Sequence, residues 1–297
     1  MTEKKQLIIF GEVLADCFPE GSQVLGGAPF NVAWHCQAFG LSPLFVSRIG
    51  DDALGKQIRQ TMKNWGMDTS ALQLDQSHPT GVVEVTFDDN EPNYEIKKNS
   101  AWDFIEAQTL PSKLSTNALL YHGTLASRSP ISSRTLNKLK QRYSKDIFID
   151  LNLRDPWWTE NLLDNALKQT SFVKLNQHEL NIIVPAYYTI FEKTIDLIKR
   201  FSLKQVVVTL GEKGAIAFNA DGKSYQFDAP QISKVVDTVG AGDAFSSVFL
   251  LGLFKNWPLS LTLQRAQEFA SKIVTTQGAT VNVLNFYHSF IEKWDLQ

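Results

Sequence analysis

Short apolar runs alternate with helix-length segments along most of this 297-residue chain. Residues 7–10, 44–49, 118–121, 147–151, 172–175 and 205–210 read as strands. They are short and nearly continuous in apolar residues, as strands buried on both faces must be. Between them lie helical patterns. One covers 29–39, with Pro29 early and Gly40 closing it. Another is capped by Asp51-Asp52 and runs to Trp65; the rest cover 132–142, 160–169 and 189–201. This alternation predicts an α/β chain with a doubly wound, mostly parallel sheet and helices on both faces. After Gly211 the pattern changes to two short strands, 215–219 and 224–227, and then to helices at 243–254 and 261–275. The length suits one such core, a single domain over 1–297.

Two stretches do not fit that winding. Residues 12–24 are loop-like with some strand character. Residues 80–98 alternate, Val83-Glu84-Val85-Thr86-Phe87 and then Tyr94-Glu95-Ile96-Lys97, around a turn at 88–93, which is a hairpin signal. They form either an antiparallel edge of the main sheet or a small β-sheet lid. The candidate site residues beside both segments favour the lid. The apolar face of the hairpin, Val83, Val85 and Phe87, needs a cover: the core, a ligand or the lid of a second copy. A homodimer joined lid to lid is therefore an expectation.

Composition narrows the partners. A net charge of −2 gives no support to nucleic-acid or anionic-membrane binding. Two cysteines, Cys17 and Cys36, argue against a disulfide framework. No apolar run reaches membrane-spanning length and the start has no signal-peptide layout. The expectation is a cytoplasmic protein.

The segment carrying most chemistry is Asp237-Thr238-Val239-Gly240-Ala241-Gly242-Asp243, at the start of an apolar helix. A helix start offers unpaired N–H groups and partial positive charge, and small residues let them close around a phosphate. A carboxylate there has little electrostatic reason to face the same anion and good reason to take a proton from a neighbouring hydroxyl. The bland alternative is a loop with an Asp cap. A second string, Gly26-Gly27-Ala28-Pro29-Phe30-Asn31, gives a tight turn, a proline-initiated helix and an amide that offers donor and acceptor to a polyol. Residues 50–57 match the P-loop spacing up to Lys56, but Gln57 stands where Ser or Thr must ligate Mg²⁺. That segment reads as strand, capped turn and helix. The five histidines show no metal-ligand spacing.

The two signature strings, some 200 residues apart, resemble those of the ribokinase-like (PfkB) carbohydrate kinases. The resemblance runs from about Leu7 to Phe290 and implies ATP-dependent phosphorylation of a sugar hydroxyl. It implies Asp243 as catalytic base and the amides of Gly240, Ala241 and Gly242 as anion hole. Asp16, Gly26, Gly27 and Asn31 would contact the sugar. Asn176 and Glu179, in Asn176-Gln177-His178-Glu179, would order Mg²⁺ and phosphate, with nucleotide against Thr209, Gly211 and Gly214. Some relatives bind a monovalent cation; the matching positions for K⁺ are Asp237, Val239, Ile273, Thr276, Gly278 and Asn282. The stretch Asp150-Leu151-Asn152-Leu153-Arg154 with Trp157-Trp158 is similar to fructokinases and 2-keto-3-deoxygluconate kinases. Arg154 there is either near the substrate or in a structural ion pair. Fructose is the first expected acceptor; 2-keto-3-deoxygluconate, ribose and nucleosides are the alternatives. A sugar-binding regulator on an inactive kinase fold is the alternative from another class.

Overall fold

The computed structural model describes residues 5–88, 91–112, 114–185 and 189–296. The strands are β1 (Gln6–Phe10), β2 (Leu14–Cys17), β3 (Gln23–Gly26), β4 (Leu44–Gly50), β5 (Leu72–Asp75), β6 (Gly81–Asp88) and β7 (Glu91–Ile96). They continue with β8 (Ala118–His122), β9 (Ser144–Asp150), β10 (Phe172–Asn176), β11 (Gln205–Thr209), β12 (Ala215–Asn219) and β13 (Ser224–Phe227). The α-helices are α1 (Ala28–Ala38), α2 (Ala53–Asn64), α3 (Pro130–Arg142), α4 (Glu160–Leu167) and α5 (Gln177–Ile183). After these come α6 (Ile190–Phe201), α7 (Ala241–Lys255), α8 (Leu259–Ile273) and α9 (Leu284–Lys293).

The main sheet has the order β13-β12-β11-β10-β9-β8-β1-β4-β5. It is parallel from β11 to β5, and β12 and β13 close it antiparallel. Successive residues of β1 enter opposite cores: Leu7 and Ile9 pack with α1, α2, α7, α8 and α9, while Ile8 and Phe10 pack on the α3 side. The same alternation on β11 sends Val207 to the α7 side and Val206 and Val208 to α4, α5 and α6. This is the expected doubly wound α/β arrangement. Buried residues lie all round α7 from Ala244 to Gly252, as in a helix enclosed by its neighbours. Its first turn therefore rests on a rigid base.

Three elements were not expected from sequence. The edge strand β5 has four residues, and its Gln73 and Asp75 are bound through their side chains, to Glu106 and Arg48, so no apolar pattern marks it. Helix α9 starts without a side-chain cap, after exposed Val283 and at exposed Leu284. Helix α5 is two turns long. Residues 50–57 form the strand, cap and helix read from sequence: Asp52 caps α2 through Gly55 N–H at 2.7 Å and holds Thr80 N–H and Oγ1 at 2.8 and 2.7 Å.

The small sheet has the order β3-β2-β6-β7 and stands apart from the main sheet as a lid. Pairing sets Val24, Asp16, Val83 and Ile96 in one row, so these side chains share a face. The opposite face carries Glu84, Glu95 and Lys97, joined as ion pairs at 2.7 and 3.1 Å. Val83 and Val85 are buried within this single chain, so neither needs a second copy to cover it. The Phe87 side chain and the turn residues Asp89 and Asn90 lie outside the described residues. Arg128 anchors the end of the hairpin. It donates to the Lys97 carbonyl at 2.6 Å, pairs with Asp103 through two bonds of 2.8 Å, and lies between the rings of Trp102 and Trp157. Among the described residues, no helix is long and apolar enough to cross a membrane.

Candidate active site

The carboxyl ends of β1, β9, β10 and β11 point to one edge of the sheet, where open α/β sheets bind ligands. Phe10 is followed there by Gly11-Glu12; β9 ends at Asp150; Asn176 and Thr209 are register partners at the ends of β10 and β11. Helices α1 and α7 pack together and bring their starts to the same place.

Gly240, with φ of 79°, is the residue before α7, and Asp243 lies in the helix's first turn. No side chain caps this helix, which sets aside the reading of Asp243 as an ordinary cap. Its Oδ2 accepts a 2.8 Å hydrogen bond from Asn31 Nδ2, donated from the first turn of α1. Burial pushes the Asp243 carboxyl up to about 7. The Asn31 bond and the charges of Lys174 and Arg154 oppose that rise, and Asp150 adds to it. A base poised near neutrality is what proton removal from an alcohol needs.

Asn31 is buried, and its Oδ1 has no hydrogen-bond partner among the described residues. The turn before it brings in the rest of the group. A Cβ on Gly26 would stand 3.4 Å from Asp16 Oδ2, and one on Gly27 (φ 105°) would stand 2.7 Å from the Glu12 carbonyl oxygen. Asp16 and Gly26, on strands of the small sheet, thus meet Gly27, Asn31 and Asp243 in one continuous cluster. Arg154 is exposed on the loop after β9, with no ion pair among the described residues. Its charge lowers the carboxyls of Asp16, Glu12 and Asp243, which places it within electrostatic reach of all three. Among the described residues, Arg48 and Arg128 are in largely buried ion pairs, with Asp75 and Asp103; Arg154 is not.

Sequence reasoning missed Glu12 and Lys174. Glu12 is 3% exposed, its Oε2 has no partner among the described residues, and burial followed by the nearby Asp243 charge pushes its carboxyl up to about 7. Its position directly after the first strand was the available signal. Lys174 is the one charged residue in the apolar run of β10. Its Nζ meets both carboxylate oxygens of Asp150 at 2.9 and 3.1 Å.

Asn176 and Glu179 form a capping box at the start of α5: each side chain accepts the other's backbone N–H at 2.8 Å. Glu179 Oε1 also accepts from Leu153 N–H at 2.8 Å, tying the Arg154 loop to this helix. Gly211 and Gly214 turn β11 into β12, and a Cβ on Gly214 would overlap the Phe227 carbonyl oxygen. Asp237 accepts from Val239 and Gly278 N–H, both at 2.9 Å, and so joins the two loops that carry the K⁺ candidates. The Ile273 carbonyl accepts from both Thr276 N–H and Thr276 Oγ1, which occupies its lone pairs. Among the described residues no cluster of three His, Cys, Asp or Glu is arranged to hold a metal ion.

Two near-neutral carboxyls carry a stability cost. An unfolded carboxyl releases its proton near pH 4. Asp243 and Glu12 keep theirs to about 7 in the fold. Across roughly pH 4 to 7 the folded state binds more protons, so stability falls as pH rises through that window. Asp243→Asn and Glu12→Gln are each expected to raise the midpoint of thermal unfolding at pH 8, by roughly 2–4 °C, and to change it little at pH 5. Thermal melts at both pH values check this; equal shifts at both would contradict it.

Residues 5–285 match the model of the pfkB family carbohydrate kinases. The chain is 30% identical to a fructokinase of Klebsiella pneumoniae, over 91% of this chain and 94% of that one. Its fold is similar to the structure of fructokinase with bound ATP from Xylella fastidiosa, with TM-score 0.87, 20% identity and 99% of each chain covered. It is also similar to a double mutant of fructokinase from Vibrio cholerae O395 in its fructose, ADP and potassium ion bound form. That match has TM-score 0.80 and 25% identity, over 96% of this chain and 98% of the other. A family match over nearly the whole length, on a fold that assembles both signature strings at one sheet edge, means that this chain belongs to the pfkB family of carbohydrate kinases.

Proposed function

We propose that this protein is an ATP-dependent sugar kinase of fructokinase type, with Asp243 as the base that deprotonates the acceptor hydroxyl. The observation that carries the reading is Asp243 itself. It is a carboxyl poised near neutrality in the first turn of α7, beside Gly240, Ala241 and Gly242 and bonded to Asn31 at 2.8 Å.

The sugar lies under the lid. Asp16, Asn31 Oδ1 and Glu12 Oε2 accept its hydroxyls, Gly26 and Gly27 allow close backbone approach, and Arg154 faces it from the open side. Buried acceptors without partners are costly until a polyol supplies donors. Phosphoryl transfer is mainly positioning and electrostatics. The amides of Gly240, Ala241 and Gly242 hold the transferring group while Asp243 takes the proton. ATP lies against Thr209, Gly211 and Gly214. Mg²⁺ usually keeps several waters and binds through few protein groups plus phosphates. The exposed Asn176 and the buried Glu179 fit that donor set, and the ion would neutralise charge on the phosphates. K⁺, if bound, would sit between the loops joined by Asp237, on carbonyls of Val239, Thr276, Gly278 and Asn282. Closure of the lid would exclude water from the reaction. A lid-joined dimer would rest on Val24 and Tyr94, exposed on the two edge strands.

The test is an ADP-release assay with ATP and Mg²⁺ across fructose, 2-keto-3-deoxygluconate, ribose and nucleosides. Fructose is expected to give the highest kcat/KM. Turnover with ribose or a nucleoside alone would overturn the fructokinase reading but keep the kinase.

A further inference from the structure

We propose that Lys174 supplies a fixed positive charge to the anion-binding turn at the start of α7 and so belongs to the phosphoryl-transfer site. Lys174 is 8% exposed. Its ammonium spends hydrogen bonds on both oxygens of Asp150, at 2.9 and 3.1 Å, and an ammonium carries three donors. A Cβ on Gly242 would lie 3.0 Å from Nζ, so the charge rests against the first turn of α7. Asp150 Oδ2 in turn accepts from Ser246 Oγ at 2.8 Å.

The order of these contacts along the helix matters. Gly242 and Ser246 are one turn apart on the same face of α7. The ammonium lies at the earlier turn and the carboxylate at the later one. The ion pair is therefore a dipole directed like the helix macrodipole, positive end toward the helix start, and adds to it. Burial alone would lower the Lys174 amine, but Asp150 outweighs it and keeps the group charged, with Glu179 and Asp243 contributing.

Stability alone accounts poorly for the pair. A buried ion pair is often replaceable by apolar residues without loss. Position is the better account: the ammonium stands against the Gly240–Gly242 turn. A lysine acts on phosphate as a point charge. The glycine at 242 has room for this approach, and any larger residue there would push the ammonium away.

This inference rests on the kinase reading for its chemistry, but its test needs no turnover. ADP and the non-hydrolysable analogue AMP-PNP, each with Mg²⁺, are titrated calorimetrically into wild type and the charge-neutral pair D150N/K174Q. Loss of the ammonium is expected to weaken AMP-PNP relative to ADP by roughly tenfold or more, the size of a charge-assisted contact. Asp150→Asn alone, which leaves the ammonium, keeps or raises the ratio. Should the double variant fail to fold, Lys174→Met serves, because Ser246 Oγ still donates to Asp150. A folded variant with the wild-type ratio overturns the proposal, whatever its melting temperature. An altered ratio in a protein that phosphorylates no sugar keeps Lys174 as the charge of the anion-binding turn and removes the kinase reading. A wild-type chain that binds neither nucleotide overturns both.

Discussion

Asp243→Asn is expected to lower kcat with fructose by about 10²-fold or more, the usual scale of general-base catalysis, with little change in either KM. Asparagine has the shape of aspartate and can still accept the 2.8 Å bond from Asn31, so the local fold is kept and only the proton acceptor is lost. The wild-type profile should carry the same group. With the Asp243 carboxyl at about 7, kcat/KM falls as pH drops below neutrality, because the protonated acid accepts no further proton. The variant's residual activity loses that limb. Steady-state kinetics from pH 5.5 to 8.5 measure both; turnover within threefold of wild type would remove Asp243 from the base role.

Gly240→Ala is expected to damage both stability and turnover. Gly240 has φ of 79°, a conformation that costs alanine about 1 kcal/mol. A Cβ there would also stand only 2.5 Å from the Ala279 Cα, a backbone atom that cannot rotate away. The 279–281 segment is held from α1: His35 Nε2 lies 3.0 Å from the Ala279 oxygen, and Trp34 Nε1 donates to the Val281 oxygen at 2.9 Å. Either the anion-binding turn shifts or these bonds break. The expected result is a loss of stability of roughly 2–4 kcal/mol and a fall in kcat of at least about 10²-fold. Denaturant unfolding and kinetics on the folded fraction separate the two effects. A stable variant with normal turnover would mean that the Gly240 backbone is not part of the reacting site.

The architecture was legible because it depends on local pattern. Strands such as Val206-Val207-Val208 are buried on both faces and must read as apolar runs, and α7 is apolar all round because it is enclosed. The signature strings around Asn31 and Asp243 were legible for another reason: glycine, proline and acidic residues at a helix start have few local explanations. What escaped depends on distant partners. Lys174 is fixed by Asp150 and Ser246, neither near it in the chain. Glu12 fell within a segment read as lid, yet it lies buried beside the Gly27 turn. Arg154 read equally as a substrate neighbour or an ion-pair partner, and only the fold shows it exposed, with no ion pair among the described residues. The capping box of Asn176 and Glu179 fixes both side chains at the sheet edge.

The most direct test is the stoichiometry of ADP and sugar phosphate formed from ATP, Mg²⁺ and fructose, followed by phosphorus NMR for wild type and Asp243→Asn. The account predicts one fructose phosphate for each ADP in the wild type and almost none with the variant. Calorimetric fructose binding with no sugar phosphate formed, K⁺ supplied, would contradict it and point to a sugar-binding regulator on a kinase fold.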